Sequence, residues 1–145
     1  MGKGKKGFKP KKKPAWNYKE IPEDPEVSKL MPGFEIQYMI TEATVEGNDR
    51  AIFGHCIFPP NSAHEKHQHL NAAEVVYTIK GNIINGITTE KGDVETVCPP
   101  GTAAFAKPGQ VHWTRNATDA PVEIVFCYYG CASLEASGYV DDIKD

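Results

Sequence analysis

The segment HEKHQH, residues 64–69, holds three of the five histidines of the chain. Residues two apart on a β-strand point to the same face, so His67 and His69 can direct both imidazoles at one metal ion. Glu74 lies five residues beyond His69 and cannot share that face along an unbroken strand. A tight turn or bulge at Asn71 would let a new strand start at Glu74 beside the two histidines. The segment is therefore a candidate metal site with two imidazoles and one carboxylate.

The other three histidines suggest different roles. A fourth ligand has to come from a distant strand, and His112 is the only histidine outside residues 55–69. His55, within the apolar run AIFGHCIF, is typical of a hydrogen-bonded histidine inside a sheet. His64 precedes His67 by an odd number of positions, so it cannot join the ligand pair on a regular strand. It is either a catalytic acid or base at the rim of the site or an exposed loop residue.

Short segments with β-strand character follow one another from residue 34 to residue 130. Turn signals such as Pro59-Pro60-Asn61 and Gly81-Asn82 separate them, and no long segment has a helical period. This pattern predicts an all-β fold, either an antiparallel sandwich or a small barrel. The predicted strands are residues 34–40, 51–58, 66–69, 74–80, 83–89, 94–98, 102–106, 110–116 and 122–130.

The N-terminal segment differs in charge from the rest of the 145-residue chain. Residues 1–13 contain seven lysines and no acidic residue, which leaves nine basic against 19 acidic residues in the remainder. We expect residues 1–20 to form a basic, flexible tail. Residues 21–145 are expected to form a single domain, because this length suits one hydrophobic core, with the core strands at residues 34–130.

Composition argues against several partners and locations. The acidic body has only two arginines, Arg50 and Arg115, so nucleic-acid binding by the folded domain is not expected. No apolar run approaches the roughly 18 residues of a membrane span, and no apolar segment follows the basic tail as in a secretory signal. The four cysteines form no CxxC pair and fit reduced core thiols. We therefore expect a cytoplasmic protein without a membrane partner.

Two segments resemble the two sequence motifs of the cupin family. HQHLNAAEVVYTIKG, residues 67–81, fits HxH-x3or4-E-x6-G of the first motif. GTAAFAKPGQVHWTRN, residues 101–116, fits the second motif, G-x5-PxG-x2-H-x3-N, except that Lys107 replaces its proline. The glycine that opens the first motif is also missing, since Asn61 stands there. Both departures fall in turns and leave the ligand positions unchanged.

The resemblance implies a fold and a metal site. The fold would be a cupin jelly-roll barrel, a double-stranded β-helix of antiparallel strands, over roughly residues 34–130. The metal would lie in the mouth of the barrel. By match to the motifs, its ligands would be His67, His69, Glu74 and His112. Small single-domain members are often dimers, so a homodimer is expected.

The resemblance does not fix the reaction. Three imidazoles and one carboxylate leave two positions of an octahedral shell for water or substrate, and this set suits Fe(II), Mn, Ni, Co or Zn. With Fe(II), our first expectation, the resemblance implies a dioxygenase of diketones or hydroxyaryl ketones. With another metal the same site would serve a redox-neutral isomerase, decarboxylase or lyase. A barrel that binds a small molecule without catalysis is the third possibility.

Strand alternation predicts the walls of the substrate pocket. Val76 and Thr78 should face inward with Glu74, as should Gln110, Thr114 and Asn116 with His112. Glu65 would face inward with His67 if residues 64–66 already belong to the strand and not to the preceding loop. Phe105, Phe126 and Tyr128 are further candidates. Arg115 and Lys80 are the only cations near the site, and neither is placed to face it. We therefore expect a neutral or monoanionic organic substrate.

Overall fold

The computed structural model describes residues 8–141 and residue 143. The first seven residues of the predicted tail and three residues at the end of the predicted domain lie outside this part. Ten antiparallel strands form two five-stranded sheets, in the order β1-β2-β9-β4-β7 and β10-β3-β8-β5-β6. The strands are β1 Glu35–Ile40, β2 Ala51–Phe58, β3 Ser62–His69, β4 Ala73–Lys80, β5 Ile83–Thr89, β6 Gly92–Cys98, β7 Ala103–Ala106, β8 His112–Asn116, β9 Val122–Tyr129 and β10 Tyr139–Val140. The predicted all-β jelly-roll fold is confirmed.

Alternating side chains build the core between the two sheets. On β9, Val122, Ile124, Phe126 and Tyr128 are buried, while the residues between them face outward. Each fully buried aliphatic or aromatic side chain contributes about 1.5–3 kcal/mol. The Phe126 ring lies over Gly54 of β2, where a Cβ atom would come within 2.3 Å of the ring. This close approach is the reason for a glycine in the middle of a strand.

The segment that precedes β1 packs on the first sheet. A short 3₁₀ helix, Tyr18–Glu20, places the Tyr18 ring on the His55 ring with centroids 4.0 Å apart. The indole nitrogen of Trp16 donates a hydrogen bond to the Thr44 carbonyl at 2.9 Å. Tyr18 and Trp16 both belong to the segment that the sequence predicts to be a flexible tail. The division of the chain into tail and domain at residue 20 stays a prediction.

One α-helix, α1 Pro25–Leu30, is found among the described residues, and its Val27 side chain is buried. The Asp24 carboxylate accepts a hydrogen bond from the Glu26 amide and caps the helix N-terminus. No helix in the described part of the chain is long and apolar enough to cross a membrane. The four cysteines are free thiols, as the sequence predicts.

Candidate metal centre

Two strands of the second sheet and one of the first bring the four predicted ligands together. His67 on β3 pairs directly with His112 on β8, and His69 lies two residues further along the face of β3. After the turn at residues 70–72, Glu74 near the start of β4 faces them from the first sheet. All four residues are buried, and their ligand atoms lie within 4.8 Å of one another. The turn after His69 thus lets Glu74 face the two histidines of β3, which it could not do along one unbroken strand.

Hydrogen bonds fix the orientation of each imidazole. Nδ1 of His67 lies 2.7 Å from the Glu65 carbonyl, and Nδ1 of His112 lies 2.8 Å from the Gln110 carbonyl. A carbonyl only accepts, so both Nδ1 atoms carry the proton. These contacts place the lone pairs of the two rings on Nε2.

Ser137 plays the same part for the third imidazole. Its hydroxyl donates to the Leu134 carbonyl at 2.6 Å, so Oγ is left to accept from Nδ1 of His69 at 3.3 Å. The lone pair of His69 is therefore also on Nε2. Oxygen partners behind metal-binding histidines orient the ring and increase its basicity in known metal sites.

The three Nε2 atoms have no hydrogen-bond partner, although all three are buried. Glu74 Oε1 lies 2.7 Å from Nε2 of His112, which brings the carboxylate to the same point as the three ring nitrogens. Buried polar atoms without partners are costly and rare in folded proteins. Three convergent lone pairs beside one carboxylate are the donor set that a divalent transition metal takes. The buried cluster fits a divalent metal ion.

The charge states in the site also suit a cation. Burial, together with the charges of His64 and His112, lowers the pKa of His67 to about 2. Burial likewise lowers the pKa of His69 to about 4. Burial alone would raise the pKa of Glu74, but contact with His112 and the other imidazoles lowers it overall, so this carboxylate is ionised. His67, His69 and Glu74 are thus in the states that bind metal without releasing a proton. Burial alone would lower the pKa of His112, but contact with Glu74 raises it overall, so a metal ion has to compete with a proton at this one ligand.

The supporting role of Ser137 gives a testable prediction. In Ser137→Ala, the Nδ1 proton of His69 loses its acceptor, and the ring loses the contact that fixes its orientation. We expect metal affinity to fall by about 10–100-fold. Titration against a competing chelator measures this change. Ser133→Ala, on the same C-terminal segment but not bonded to a ligand, is the control and should bind metal like the wild type.

His64 lies on the same side of β3 as the ligands, contrary to the prediction from strand phase. The register of β3 against β8 shifts between His64 and His67, so a β-bulge absorbs one residue. The His64 ring stacks on the His67 ring with centroids 3.9 Å apart, and its Nε2 is 3.2 Å from the Tyr139 hydroxyl oxygen. Glu65 is largely exposed beside the same bulge, although it borders the cavity next to His64. The catalytic role of His64 stays a prediction.

A cavity of about 260 Å³ opens beside His69 and His64. Its walls come from α1, from the C-terminal segment and from three tyrosines. Of these, the sequence patterns identify only Tyr128. The segment that holds Ser137 and Tyr139 lies about 70 residues from His69, and no local signal links them. The lining residues are Val27, Leu30, Met31, Tyr38, Ala63, His64, Glu65, Lys66, His69, Tyr128, Leu134, Tyr139 and Asp141.

Other predicted pocket residues fall into two groups. Val76, Thr78 and Thr114 are buried on the inner faces of their strands, as expected, whereas Phe105 is exposed. The side-chain amides of Gln110 and Asn116 are bonded to backbone atoms, in keeping with structural roles.

The structure adds Lys66 to the two cations predicted near the site, and two of these three cations pair with carboxylates. Arg115 forms a bidentate pair with Glu95, at 2.8 and 2.9 Å, on the outer side of the second sheet. Lys66 borders the cavity, but its ammonium group lies 2.8 Å from the Asp93 carboxylate. Lys80 is exposed at the end of β4.

Comparison with solved structures supports the fold. An oxalate oxidase in complex with glycolate matches with a TM-score of 0.64 at 18% identity, over 74% of this chain and 54% of that one. An oxalate decarboxylase from Bacillus subtilis matches with a TM-score of 0.66 at 18% identity, over 76% and 28%. KdgF from Halomonas sp. matches with a TM-score of 0.57 at 14% identity, over 68% and 80%. This chain thus spans about half of the oxidase and less than a third of the decarboxylase.

No curated protein matches the sequence. The family model described as "Cupin domain" matches residues 54–128, which is more than half of the chain and includes all four residues of the buried cluster. The motifs, the two-sheet fold and this match agree. The chain belongs to the cupin family.

Proposed function

We propose that this protein is a metal-dependent enzyme that acts on a small organic molecule, with His67, His69, Glu74 and His112 as the metal ligands. The observation that carries the proposal is a cavity of substrate size whose wall includes His69, one of the four residues of the buried cluster. A metal site that served only stability would have no need of such a space, because structural sites are closed by their ligands.

The cavity suits a neutral or monoanionic substrate. Its walls are mainly aliphatic and aromatic; α1 contributes Val27 and Leu30, and Met31 follows at the C-cap of this helix. The acidic residues Glu65 and Asp141 border it, while the ammonium group of Lys66 is paired with Asp93. A dianion would lose its hydration there without gaining a cationic partner, which is strongly unfavourable.

The best candidate reaction is dioxygenation of a diketone or a hydroxyaryl ketone by a mononuclear Fe(II) site. Such molecules carry two adjacent oxygens at one end and apolar groups at the other. The apolar end would pack against Met31 and Leu134, and the Tyr139 hydroxyl, 3.2 Å from Nε2 of His64, would orient the oxygens toward the donor set. When bound, Fe(II) supplies Lewis acidity and the one-electron chemistry that reaction with molecular oxygen requires. An apolar cavity also admits oxygen and excludes water.

The predicted activity can be measured as oxygen uptake. We expect protein loaded with Fe(II) under nitrogen to consume oxygen when it is mixed with at least one member of a panel of β-diketones and hydroxyaryl ketones. His112→Ala treated in the same way is the control and should show no uptake above free Fe(II). Mass spectrometry of the products should show incorporation of both atoms of molecular oxygen.

The same panel distinguishes the alternatives. Absence of uptake with every compound, together with turnover of an enolisable substrate under nitrogen, would refute the dioxygenase and favour a redox-neutral isomerase, decarboxylase or lyase. In that case His64 or Tyr139 would be the candidate proton carrier, because both side chains lie at the rim of the site. Saturable binding of a compound without any turnover, under air or nitrogen and with any metal, would favour a binding protein.

A further inference from the structure

A second cavity lies between the N-terminal segment and the first sheet, and we call it the N-terminal cavity. Its volume is about 380 Å³, which falls in the range of small-molecule sites. It shares Tyr38 with the wall of the first cavity, and none of the four residues of the buried metal cluster borders it. The lining residues are Phe8, Ile21, Pro22, Glu23, Asp24, Pro25, Tyr38, Thr41, Ala43 and Thr44.

The walls of the N-terminal cavity are held in place by contacts with one another and with Trp16. The Phe8 ring packs edge-on against Trp16 with centroids 6.4 Å apart, and the Trp16 indole nitrogen donates to the Thr44 carbonyl. The Thr44 hydroxyl accepts from the Thr41 amide at 2.9 Å and donates to the Met39 carbonyl at 2.9 Å. The cavity is therefore preformed, and a ligand loses little affinity to the ordering of its walls.

Asp24 in this wall has an oxygen atom without a partner. The residue is only 6% exposed, and its Oδ1 accepts a hydrogen bond from the Glu26 amide as the cap of α1. The other oxygen, Oδ2, is buried and makes no hydrogen bond, although buried polar atoms nearly always make one. A buried carboxylate oxygen is costly unless a donor or a cation meets it. Because Asp24 borders the N-terminal cavity, a molecule bound there can supply that group.

The charge of the wall selects the kind of ligand. Glu23 brings a second carboxylate to the cavity, and the described part of the chain contributes no lysine, arginine or histidine to the lining. Lys12 and Lys13 of the N-terminal segment form ion pairs with other glutamates. A wall with two carboxylates and no basic residue attracts a cation. The apolar surfaces of Phe8 and Ile21 suit a ligand whose remaining part is apolar.

We propose that the N-terminal cavity is a second ligand site of this protein, which binds a small organic amine in its protonated form. The ammonium group donates to Oδ2 of Asp24, the Glu23 carboxylate adds to the negative potential, and the apolar part packs against Phe8 and Ile21. An ammonium group has three donors and no acceptor, so it suits a site whose unpartnered atom is a carboxylate oxygen. The site does not depend on the reaction proposed for the metal centre, because no residue of the metal cluster lines it.

Benzylamine is a suitable probe, because it joins one ammonium group to one aromatic ring. We expect isotope-labelled full-length protein, loaded with diamagnetic Zn(II), to bind it saturably, with changes in amide chemical shift centred on residues 21–26 and 41–44. Benzyl alcohol has nearly the same shape without the charge and should bind at least about 10-fold more weakly. The proposal is overturned if the changes centre on His69 and Lys66 of the first cavity, or if no saturable change is seen up to about 10 mM benzylamine.

Asp24→Asn separates the negative charge from the helix cap. Asparagine caps a helix about as well as aspartate, so α1 is retained while the charge is lost. We expect the affinity for benzylamine to fall at least about 10-fold and the affinity for benzyl alcohol to stay the same. Glu90→Gln is the matched control, since it removes the same charge from an exposed turn of the other sheet and should bind benzylamine like the wild type. Equal affinities in Asp24→Asn and Glu90→Gln would contradict the proposal.

Ala43→Phe tests the place of binding. Ala43 borders the N-terminal cavity and is exposed, so a larger side chain can fill the space without entering the core. We expect this variant to bind benzylamine at least about 10-fold more weakly than the wild type, with an unchanged circular dichroism spectrum. Binding as tight as that of the wild type would show that the amine lies elsewhere.

The lysines that precede Phe8 are the other source of an ammonium group. Replacement of Lys3, Lys5 and Lys6 by glutamine should leave the affinity for benzylamine within about 2-fold of the wild type, because the site takes a free amine. A gain of at least about 10-fold would show that the chain's own lysines compete for Asp24, and it would overturn the proposal of a site for a separate molecule.

Discussion

Replacement of His112 by alanine is expected to remove nearly all metal from the protein. The Nε2 lone pair of His112 would be lost, and the buried Glu74 carboxylate would lose the contact at 2.7 Å that favours its ionised form. Loss of a supporting group behind a ligand costs about 10–100-fold in metal affinity, so loss of a ligand should cost more. Elemental analysis of protein purified without added metal measures the effect. It also identifies the ion, for which iron is our expectation.

Other substitutions separate ligands from neighbours. Glu74→Ala should lower bound metal as severely, because the cluster would lose its negative charge. His64→Ala should leave metal content nearly unchanged, although its ring stacks on His67, because Nδ1 of His67 keeps its bond to the Glu65 carbonyl. Loss of metal in His64→Ala but not in His69→Ala would show that the ligand assignment is wrong. Circular dichroism of each variant checks that the barrel is folded.

The sequence is sufficient to predict the four residues of the buried cluster, three of them by local rules and His112 by the resemblance to the second cupin motif. Residues two apart on a strand share a face, which places His67 and His69 together. A turn at residues 70–72 restarts the chain at Glu74, and the motif spacing supplies His112. The strands also follow from local patterns, and β2 is predicted at the bounds that the structure shows, Ala51–Phe58.

Features that depend on distant pairing are not predictable in this way. β3 begins at Ser62, four residues before its predicted start, because Ser62 and His64 pair with Asn116 and Thr114 of β8. The bulge that turns His64 inward arises from the same pairing. The cavity walls from α1 and the C-terminal segment depend on tertiary packing alone. The alternation of side chains along a regular strand therefore mispredicts the direction of His64, because β3 is irregular beside the site.

Gly54→Ala is expected to destabilise the barrel by about 1–3 kcal/mol or more, the cost of overpacking a well-filled core. The new methyl group would come within 2.3 Å of the tip of the Phe126 ring. That ring has little freedom to move, because it packs edge-on against Tyr38 at 5.6 Å and against Tyr128 at 5.3 Å between centroids. Urea denaturation of wild type and variant, both stripped of metal, measures the difference in free energy of unfolding.

A double-mutant cycle tests whether Phe126 is the cause. Phe126→Ala should cost about 3–5 kcal/mol and leave a cavity above Gly54. In that background, Gly54→Ala places its methyl group in the empty space and should be neutral or stabilising. An equal cost of Gly54→Ala in both backgrounds would mean that strand conformation, not the ring, requires the glycine. Because Tyr38 and Tyr128 also line the cavity beside His69, a displaced Phe126 ring would reshape the substrate space. We therefore expect Gly54→Ala to change substrate affinity while metal content stays the same.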